Sequence, residues 1–551
     1  ARRRLRLTGR LEPGSELRSG ALVWPVYDEP VPDCAKRSTD GRRGWTENAV
    51  VLSVSAEDVD GTARDILVVE ETLPGVAVRH QALPMALGPR RPPPTAGITA
   101  AIASVARDVA LKLPEIPPQP AIDILRRRPP RTLSGRALPT VGDGPQGPAR
   151  AIVEALLDLD DSYLAVQGPP GTGKTHTGAR VIRALVERGW RVGVVAQSHA
   201  VVENMLTALV EAGVPPAQIG KKPSTPDAPG GASTSTAAVP WQVISSDARF
   251  PAFYSSQASG YVVGGTAWDF TNAKRLPDRP LDLLVIDEAG QFALANTIAV
   301  STAARNLLLL GDPQQLPQVS QGRHPEPVDR SALGWLADGH DTLPAELGYF
   351  LAHTWRMHPA LCDAVSNLSY EGRLTSMPCT AERSLEGIAP GLRCVMLHHE
   401  GNAVASAEEA DEVVRQVQDL MGRRWRDPAA DVDRPLEPAD VLVVAAYNAQ
   451  VWRVRRALAA AGLADIAVGT VDLFQGRQAP VVIVTTAASS AADVPRGMEF
   501  LLNRNRVNVA VSRGQWCAVV VRSTGLTDYL PSRPENLAEL GAFIGLCARS
   551  T

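Results

Sequence analysis

Residues 162–175 read SYLAVQGPPGTGKT, an apolar run that breaks at Gly168 and gives way to helical periodicity after Lys174. The break has the spacing G-x-x-x-x-G-K-T, so the order predicts a buried strand, a glycine-rich turn and a helix start. Gly168, Pro169, Pro170, Gly171, Thr172 and Gly173 form the turn, and its glycines let the backbone curl until N–H groups point inward at phosphate oxygens. The helix that follows turns its positive end toward the same anion. Lys174 is placed to reach the β- and γ-phosphates of a nucleotide, and Thr175 to ligate Mg²⁺.

Further on, residues 281–291 read LDLLVIDEAGQ. A strand this apolar is buried, and it delivers two carboxylates at its C-terminal end, where α/β sheets bind ligands. Asp287 is the expected Mg²⁺ ligand, and Glu288 is expected to polarise an attacking water. Between and beyond these segments, strand-like runs alternate with amphipathic helical stretches. The runs at 162–167, 191–197, 261–266, 281–288 and 306–312 form one series, and those at 392–398, 439–447, 466–471, 479–487 and 516–522 a second. Such alternation predicts an α/β chain with two parallel sheets, divided near residue 345.

Ahead of the first series the pattern changes. Runs at 49–58 and 65–72 alternate apolar and polar residues and are separated by Gly and Asp, predicting a small antiparallel β-barrel over residues 1–92. Helical spacing of Ile98, Ile102, Val105, Val109 and Leu113, flanked by proline clusters, predicts a helical stalk over 93–135. The two α/β domains then occupy 136–345 and 346–551. Residues 220–240, rich in Pro, Gly, Ser and Thr, are expected to form a mobile surface insertion.

With 551 residues, 44% hydrophobic and 21% charged, the chain reads as a multidomain globular protein. A net charge of −3 excludes a uniformly basic nucleic-acid coat but leaves room for a locally basic channel. Six scattered cysteines show no CxxC pair, and free thiols are expected. No run is long and apolar enough to span a bilayer. The first residue is Ala1, and a piece of a longer protein is the expectation.

The remaining motifs make the pattern specific. In order they are LLLLGDPQQLPQ (307–318), TWRMHP (354–359), VGTVDLFQGRQ (468–478) and NRNRVNVAVSRG (503–514). This series resembles the superfamily 1B helicases, the group of the nonsense-decay RNA helicases and the Okazaki-fragment helicase–nuclease. AQSHAVVENML (196–206), GGTAWDF (264–270), QGRHP (321–325) and YEGRL (370–374) resemble still more closely the bacterial helicases fused to a RecB-like nuclease. The resemblance implies two RecA-like domains preceded by the barrel and stalk. Gln315 matches the γ-phosphate sensor. Arg356 and Arg513 match the arginines that meet the γ-phosphate from the second domain, and Gly476 a backbone contact to it. Trp355 stands where the family usually has Tyr and would stack on adenine, and Gln146, with Ala149 after it, resembles the adenine-reading glutamine. Gln478 replaces the acidic residue that often bonds the ribose, which puts discrimination of ribose from deoxyribose in doubt. Ser198, His199, Thr266 and Thr470 match nucleic-acid contact positions. Trp268 and Phe270 are candidate stacking faces, but His199 and Trp268 read equally as packing residues, with packing slightly favoured for Trp268.

What the resemblance implies is an ATP hydrolase that uses ATP and Mg²⁺ to move 5′→3′ on single-stranded DNA as the motor of a helicase–nuclease. An RNA or RNA–DNA helicase, or a nucleic-acid-stimulated ATPase that translocates without unwinding, remains an alternative. No guanine-reading NKxD motif is present, which removes support for a GTPase switch. The expected partner is single-stranded nucleic acid, DNA over RNA, with a nuclease domain in cis or in trans. We find no carboxylate–lysine nuclease constellation in the sequence, and expect this stretch not to cut DNA. A cytoplasmic monomer without membrane attachment completes the expectation.

Overall fold

The structure, a computed structural model, describes residues 2–9, 11, 17, 19–59, 62–73, 80–89, 94–223, 239–276, 281–318, 324–495 and 497–548. It divides into two units, Ala1–Pro94 and Thr95–Thr551.

The first unit is an antiparallel half-barrel. Its strands run in the order Arg2–Gly9, Thr62–Thr72, Ala49–Val59, Leu22–Tyr27, Gly44–Trp45, Lys36–Arg37, and Ala86–Pro89 also pairs with Leu22–Tyr27. The period-two alternation puts Val23, Ala49, Val51, Leu67 and Val69 into one small core. On the same face, two residues past Val69, the buried Glu71 accepts hydrogen bonds from Tyr27 Oη at 2.8 Å and Arg3 Nε at 2.6 Å.

The second unit holds two parallel sheets. In the first, eight strands run in the order Gln242–Val243, Ile219–Lys221, Tyr261–Gly265, Arg191–Val195, Leu281–Asp287, Ala304–Gly311, Tyr163–Gln167, Gly348–Phe350. Its two faces bury alternate residues. Leu284, Ile286, Leu307 and Leu309 enter one core, and Leu283, Val285, Leu308 and Leu310 the other. Such double burial explains why these strands read as unbroken apolar runs. The second sheet has the order Gly391–Leu397, Gly514–Ser523, Ala479–Thr485, Val441–Ala445, Ala467–Gly469, again all parallel. All ten expected core runs are strands here.

Three expectations change. Gly348–Phe350 pairs with Tyr163–Gln167, so the first sheet runs past the expected division at residue 345. Ile219–Lys221 is a buried strand and not part of a surface insertion, because it pairs with Tyr261–Gly265 and packs into the sheet; residues 224–238 of that insertion lie outside the described residues. The helices Ala96–Lys112 and Pro120–Leu125 do not stand off as a stalk. Ile98 and Ile124 belong to the same buried core as Leu284 and Leu307, because their apolar faces have the first sheet's helical layer to cover. Leu113, at the end of the expected stripe, is exposed.

Candidate functional site

Tyr163–Gln167 is fully buried, and its chain turns at once through residues 168–173 into the helix Lys174–Val186. Gly171 and Gly173 sit at φ of +76° and +77°, left-handed positions that suit glycine. The turn is anchored by the Gly168 N–H donating to the Gly311 carbonyl at 2.8 Å and by Thr172 Oγ1 donating to the Pro169 carbonyl at 2.8 Å. Lys174 lies along the loop, its Nζ donating to the Gly168 carbonyl at 2.6 Å. Thr175 follows it in the first turn of the helix.

Two strands over from Tyr163–Gln167, past Ala304–Gly311, Leu281–Asp287 brings its carboxylates to the same edge. Asp287 is 4% exposed. Burial, and next the charge of Glu288, push its carboxyl well up from the usual range, opposed by the Glu288 N–H that donates to Oδ1 at 2.9 Å and by Lys174. Glu288 itself sits at φ +53°, a left-handed conformation rare for a residue with a side chain.

The second sheet's half of the chain meets this loop directly. The Trp355 N–H donates to the Gly171 carbonyl at 2.8 Å, and Thr354 Oγ1 to the Pro170 carbonyl at 2.9 Å. Arg356 follows, its Nε donating to Gln478 Oε1 at 2.9 Å and its Nη1 to the Ser512 carbonyl at 3.0 Å. Burial first, then the charge of neighbouring Arg513, bring the Arg356 guanidinium down to about 9. Arg513 Nε donates to the Val509 carbonyl at 3.0 Å, while its buried Nη2 has no partner. Burial lowers this guanidinium as well, and Glu288 is the first of the groups that raise it.

These residues fit a nucleoside triphosphate. Two arginines lie near the phosphate loop without a carboxylate partner among the described ion pairs, and one directs a buried donor at nothing. A phosphoryl group supplies the missing acceptor and charge. Thr175 and Asp287 are the groups that would hold Mg²⁺, which would offset the negative charge of the phosphates.

Other expected residues fall out differently. Gln315 is 6% exposed and its Nε2 donates to Asp312 Oδ2 at 3.1 Å, a partner absent from the sequence reading. Gln478 is engaged with Arg356 rather than turned to an open position, because a neutral amide acceptor suits the guanidinium Nε. Trp355 is 45% exposed, leaving a ring face available for stacking. Gln146 is exposed and precedes the helix Gly147–Leu157 without capping it through its side chain. Gly476 has a φ of +82°, as a close backbone approach allows.

The nucleic-acid candidates also lie at C-terminal strand edges. Ser198 and Thr266 follow the adjacent strands Arg191–Val195 and Tyr261–Gly265, and Thr470 follows Ala467–Gly469. Two of these hydroxyls are already occupied locally. Ser198 Oγ caps its helix by accepting from the Val201 N–H at 3.4 Å, and Thr266 Oγ1 donates to Asp269 Oδ2 at 2.9 Å within a capping box. His199 is brought down to about 4 by burial and by Lys221, and its buried Nδ1 lacks a partner. Phe270 is a core residue at 4% exposure, not a stacking face, because it packs across Gly193 of the neighbouring strand. Trp268 is partly buried against the same core.

Sequence reasoning also passed over Asp312, Tyr370, Asn505 and Asn508, which join the Gln315 loop to the second sheet's helices through buried hydrogen bonds. Arg383 escaped it too. Its guanidinium pairs with Asp427 at 2.9 Å and donates to the carbonyls of Trp355 and Arg356, which holds the segment bearing the arginine.

Comparison with known proteins bears on this geometry. One AAA domain family matches residues 148–330 and another, also described as AAA domain, residues 330–524. The DNA-binding protein SMUBP-2 of Rattus norvegicus is 26% identical over 407 residues, covering 65% of this chain and 40% of that protein. The DNA replication ATP-dependent helicase/nuclease JHS1 of Arabidopsis thaliana is 23% identical over 418 residues, covering 69% of this chain and 28% of its own length. The DNA polymerase alpha-associated DNA helicase A of Schizosaccharomyces pombe is 24% identical over 401 residues, covering 63% of this chain and 59% of its own. The two AAA domain matches meet at residue 330, and with these relatives they show a chain similar to superfamily 1B helicases. It spans two fifths or less of the length of the first two relatives. The loop at 168–173 and the acidic pair Asp287 and Glu288 follow strands of the first sheet, Arg356 follows the separate short strand His353–Thr354, and Arg513 precedes the second sheet's strand Gly514–Ser523. Among solved structures, an arterivirus nonstructural protein 10 helicase aligns over 92% of this chain and 78% of that one, at 13% identity and a TM-score of 0.38.

Proposed function

We propose that the chain is an ATP-driven motor that moves 5′→3′ along single-stranded DNA and separates duplexes ahead of it. The observation that carries this reading is the pair Arg356, which packs against Gly171 of the phosphate loop, and Arg513, which faces Glu288 from the edge of the second sheet with its Nη2 unpaired. Lys174 and the loop N–H groups bind and orient the triphosphate, and Glu288 orients the attacking water. Arg356 and Arg513 stabilise charge that develops on the transferring phosphoryl. Because both lie beyond the first sheet's last strand, in the half of the chain that carries the second sheet, their grip depends on the lobes being together, and loss of the γ-phosphate weakens it. Ser198, His199, Thr266 and Thr470 sit at the strand edges where a single strand would cross both sheets. Contacts from hydroxyls and backbone amides there favour sequence-independent, salt-sensitive binding.

One of the relatives is a helicase/nuclease, which supports a partner nuclease in cis or in trans. Among the described residues no helix is long and apolar enough to cross a membrane.

ATP hydrolysis measured with and without single-stranded DNA and RNA, followed by displacement on 5′- and 3′-tailed duplexes, tests the reading. DNA-stimulated hydrolysis with displacement only from a 5′ tail is expected. Stimulation by RNA alone would replace it with an RNA helicase, and full stimulation without displacement with a translocase that does not unwind. No stimulation by either polymer would end the motor reading.

A further inference from the structure

Beyond the nucleotide contacts, one buried chain of hydrogen bonds crosses between the two sheets' halves. Asn508 Nδ2, on the helix Arg504–Val511 that leads to Arg513, donates to Tyr370 Oη at 2.8 Å. Tyr370 Oη donates in turn to Asp312 Oδ2 at 2.7 Å. The same carboxylate oxygen accepts from Gln315 Nε2 at 3.1 Å, and its Oδ1 accepts from the Gln314 N–H at 3.1 Å. Asn508 Nδ2 also donates to the Gln314 carbonyl at 2.8 Å, and Asn505 Nδ2 to the Gln315 carbonyl at 2.7 Å. Tyr370, Asp312 and Asn508 are all at most 1% exposed.

The direction of these bonds is fixed by chemistry. A carboxylate only accepts, so the tyrosine must donate to it and accept from the amide. Burial first, then the Asp312 charge, hold the phenol protonated far above the working range. Each link therefore polarises the next, and a hydrogen bond to a buried charge is stronger than a neutral one.

Asp312 also has no slack on its other side. A Cβ on Gly290, two residues after Glu288, would lie 2.2 Å from the Asp312 carbonyl oxygen. A Cβ on Gly311 would lie 2.5 Å from the Gly290 nitrogen and 2.6 Å from the Ala289 nitrogen. The Ala289 N–H donates to the Leu310 carbonyl at 2.8 Å. Backbone is thus stacked on backbone from the Asp312 turn to the Glu288 turn, and Glu288 already sits at φ +53°. A displacement of Asp312 has no soft side chain to absorb it.

We propose that Tyr370 and Asn508 are positioning residues, a latch by which the second lobe sets Asp312 and through it the geometry of Gln315 and Glu288. The proposal rests on the motor reading above. When the lobes are apposed, the latch holds the sensor glutamine and the water-polarising glutamate in register. When they part, the Tyr370 hydroxyl leaves Asp312 and both lose that register. Hydrolysis is thereby gated by lobe position through the sensor loop as well as through the arginines, beside which Tyr370 and Asp312 lie.

The test uses Tyr370→Phe, which removes one oxygen at constant shape, Asn508→Ala, and the double variant, beside the unaltered chain. Steady-state ATP hydrolysis with saturating single-stranded DNA and the midpoint of thermal unfolding are both measured. Each single variant is expected to lose about tenfold in kcat while KM for ATP stays within about twofold, and the double variant to lose no more than the worse single, as residues acting as a unit do. Unchanged kcat in both singles, with the unaltered chain stimulated by DNA, overturns the latch and leaves the motor reading standing. Losses that multiply in the double variant and follow the fall in unfolding midpoint also overturn it, because that is ordinary packing. An unaltered chain that DNA fails to stimulate overturns the motor reading and the latch together.

Discussion

The Trp355 N–H donates to the Gly171 carbonyl at 2.8 Å, so a strand-edge segment of the second lobe is hydrogen-bonded to the phosphate loop of the first. The approach is closer still at the next residue. A Cβ on Gly171 would stand 2.4 Å from Arg356 Cβ and 2.5 Å from Thr354 Oγ1, and the position has a φ of +76°. Gly171→Ala therefore meets a steric wall and a backbone conformation that costs a side-chain residue roughly 1–2 kcal/mol. We expect kcat/KM for ATP to fall about a hundredfold, through misplacement of Arg356, while the circular dichroism of the fold is retained. A variant with ordinary ATPase kinetics would show that the Gly171–Arg356 contact is not kept during turnover.

Lys174→Ala and Glu288→Gln separate binding from chemistry. Both are expected to lower turnover about a hundredfold or more, since one removes a cation from the phosphates and the other the base. They differ in affinity. Glu288→Gln leaves the loop and Lys174 intact and removes a negative neighbour that raises Asp287, so ATP binding with Mg²⁺ is preserved or tightened. Lys174→Ala loses it. Titration of a fluorescent ATP analogue into each variant decides the matter, and equal loss of affinity in the two contradicts the assigned roles.

What the sequence disclosed and what it withheld have different physical origins. Strands such as Leu281–Asp287 are legible because burial on both faces demands an uninterrupted apolar run. The loop at 168–175 is legible because its conformation and its ligand both act within eight consecutive residues. Strands of three residues are too short to show a period, and Ile219–Lys221 and Gly348–Phe350 were missed for that reason. Thr266 shows a different limit. A threonine with an aspartate three residues on signals a helix cap as well as a phosphate contact, and the structure has the cap. Asp312, Tyr370 and Asn508 are separated by 58 and 138 residues, and single polar pairings at that distance leave no periodic trace. Only the fold brings them together.

Arg513 supplies a sharper test of the cleft. Its Nε is held by the Val509 carbonyl at 3.0 Å, which leaves the orphan Nη2 as the group free to meet phosphate. Arg513→Ala is expected to lower DNA-stimulated kcat about a thousandfold, the scale of other arginines that act on a transferring phosphoryl. Arg513→Lys should not restore it, because one ammonium cannot keep the Val509 carbonyl and reach phosphate with a fixed fork. Rescue of more than a small fraction of kcat by lysine, in the same ATPase assay, would assign Arg513 a bulk electrostatic role instead.

His199 gives a prediction in pH. Burial first, then the charge of Lys221, with Arg275 adding to it and Glu203 opposing, bring its folded-state value down to about 4. An unfolded histidine titrates near 6.5. Between those values the unfolded chain binds a proton that the folded chain refuses, so stability is fully present above about pH 6.5 and falls as pH drops toward about 4. His199→Gln removes the titration, and its unfolding midpoint should decline less than that of the unaltered chain between pH 6.5 and 4.5. The same neutrality bears on the nucleic-acid surface. If His199 touches the strand it does so as an uncharged group, and the salt dependence of DNA binding should have the same slope in the chain and in His199→Gln at pH 7. A slope that drops by about one phosphate contact in the variant would mean that bound DNA draws a proton onto His199, and that its surroundings in the complex differ from those seen here.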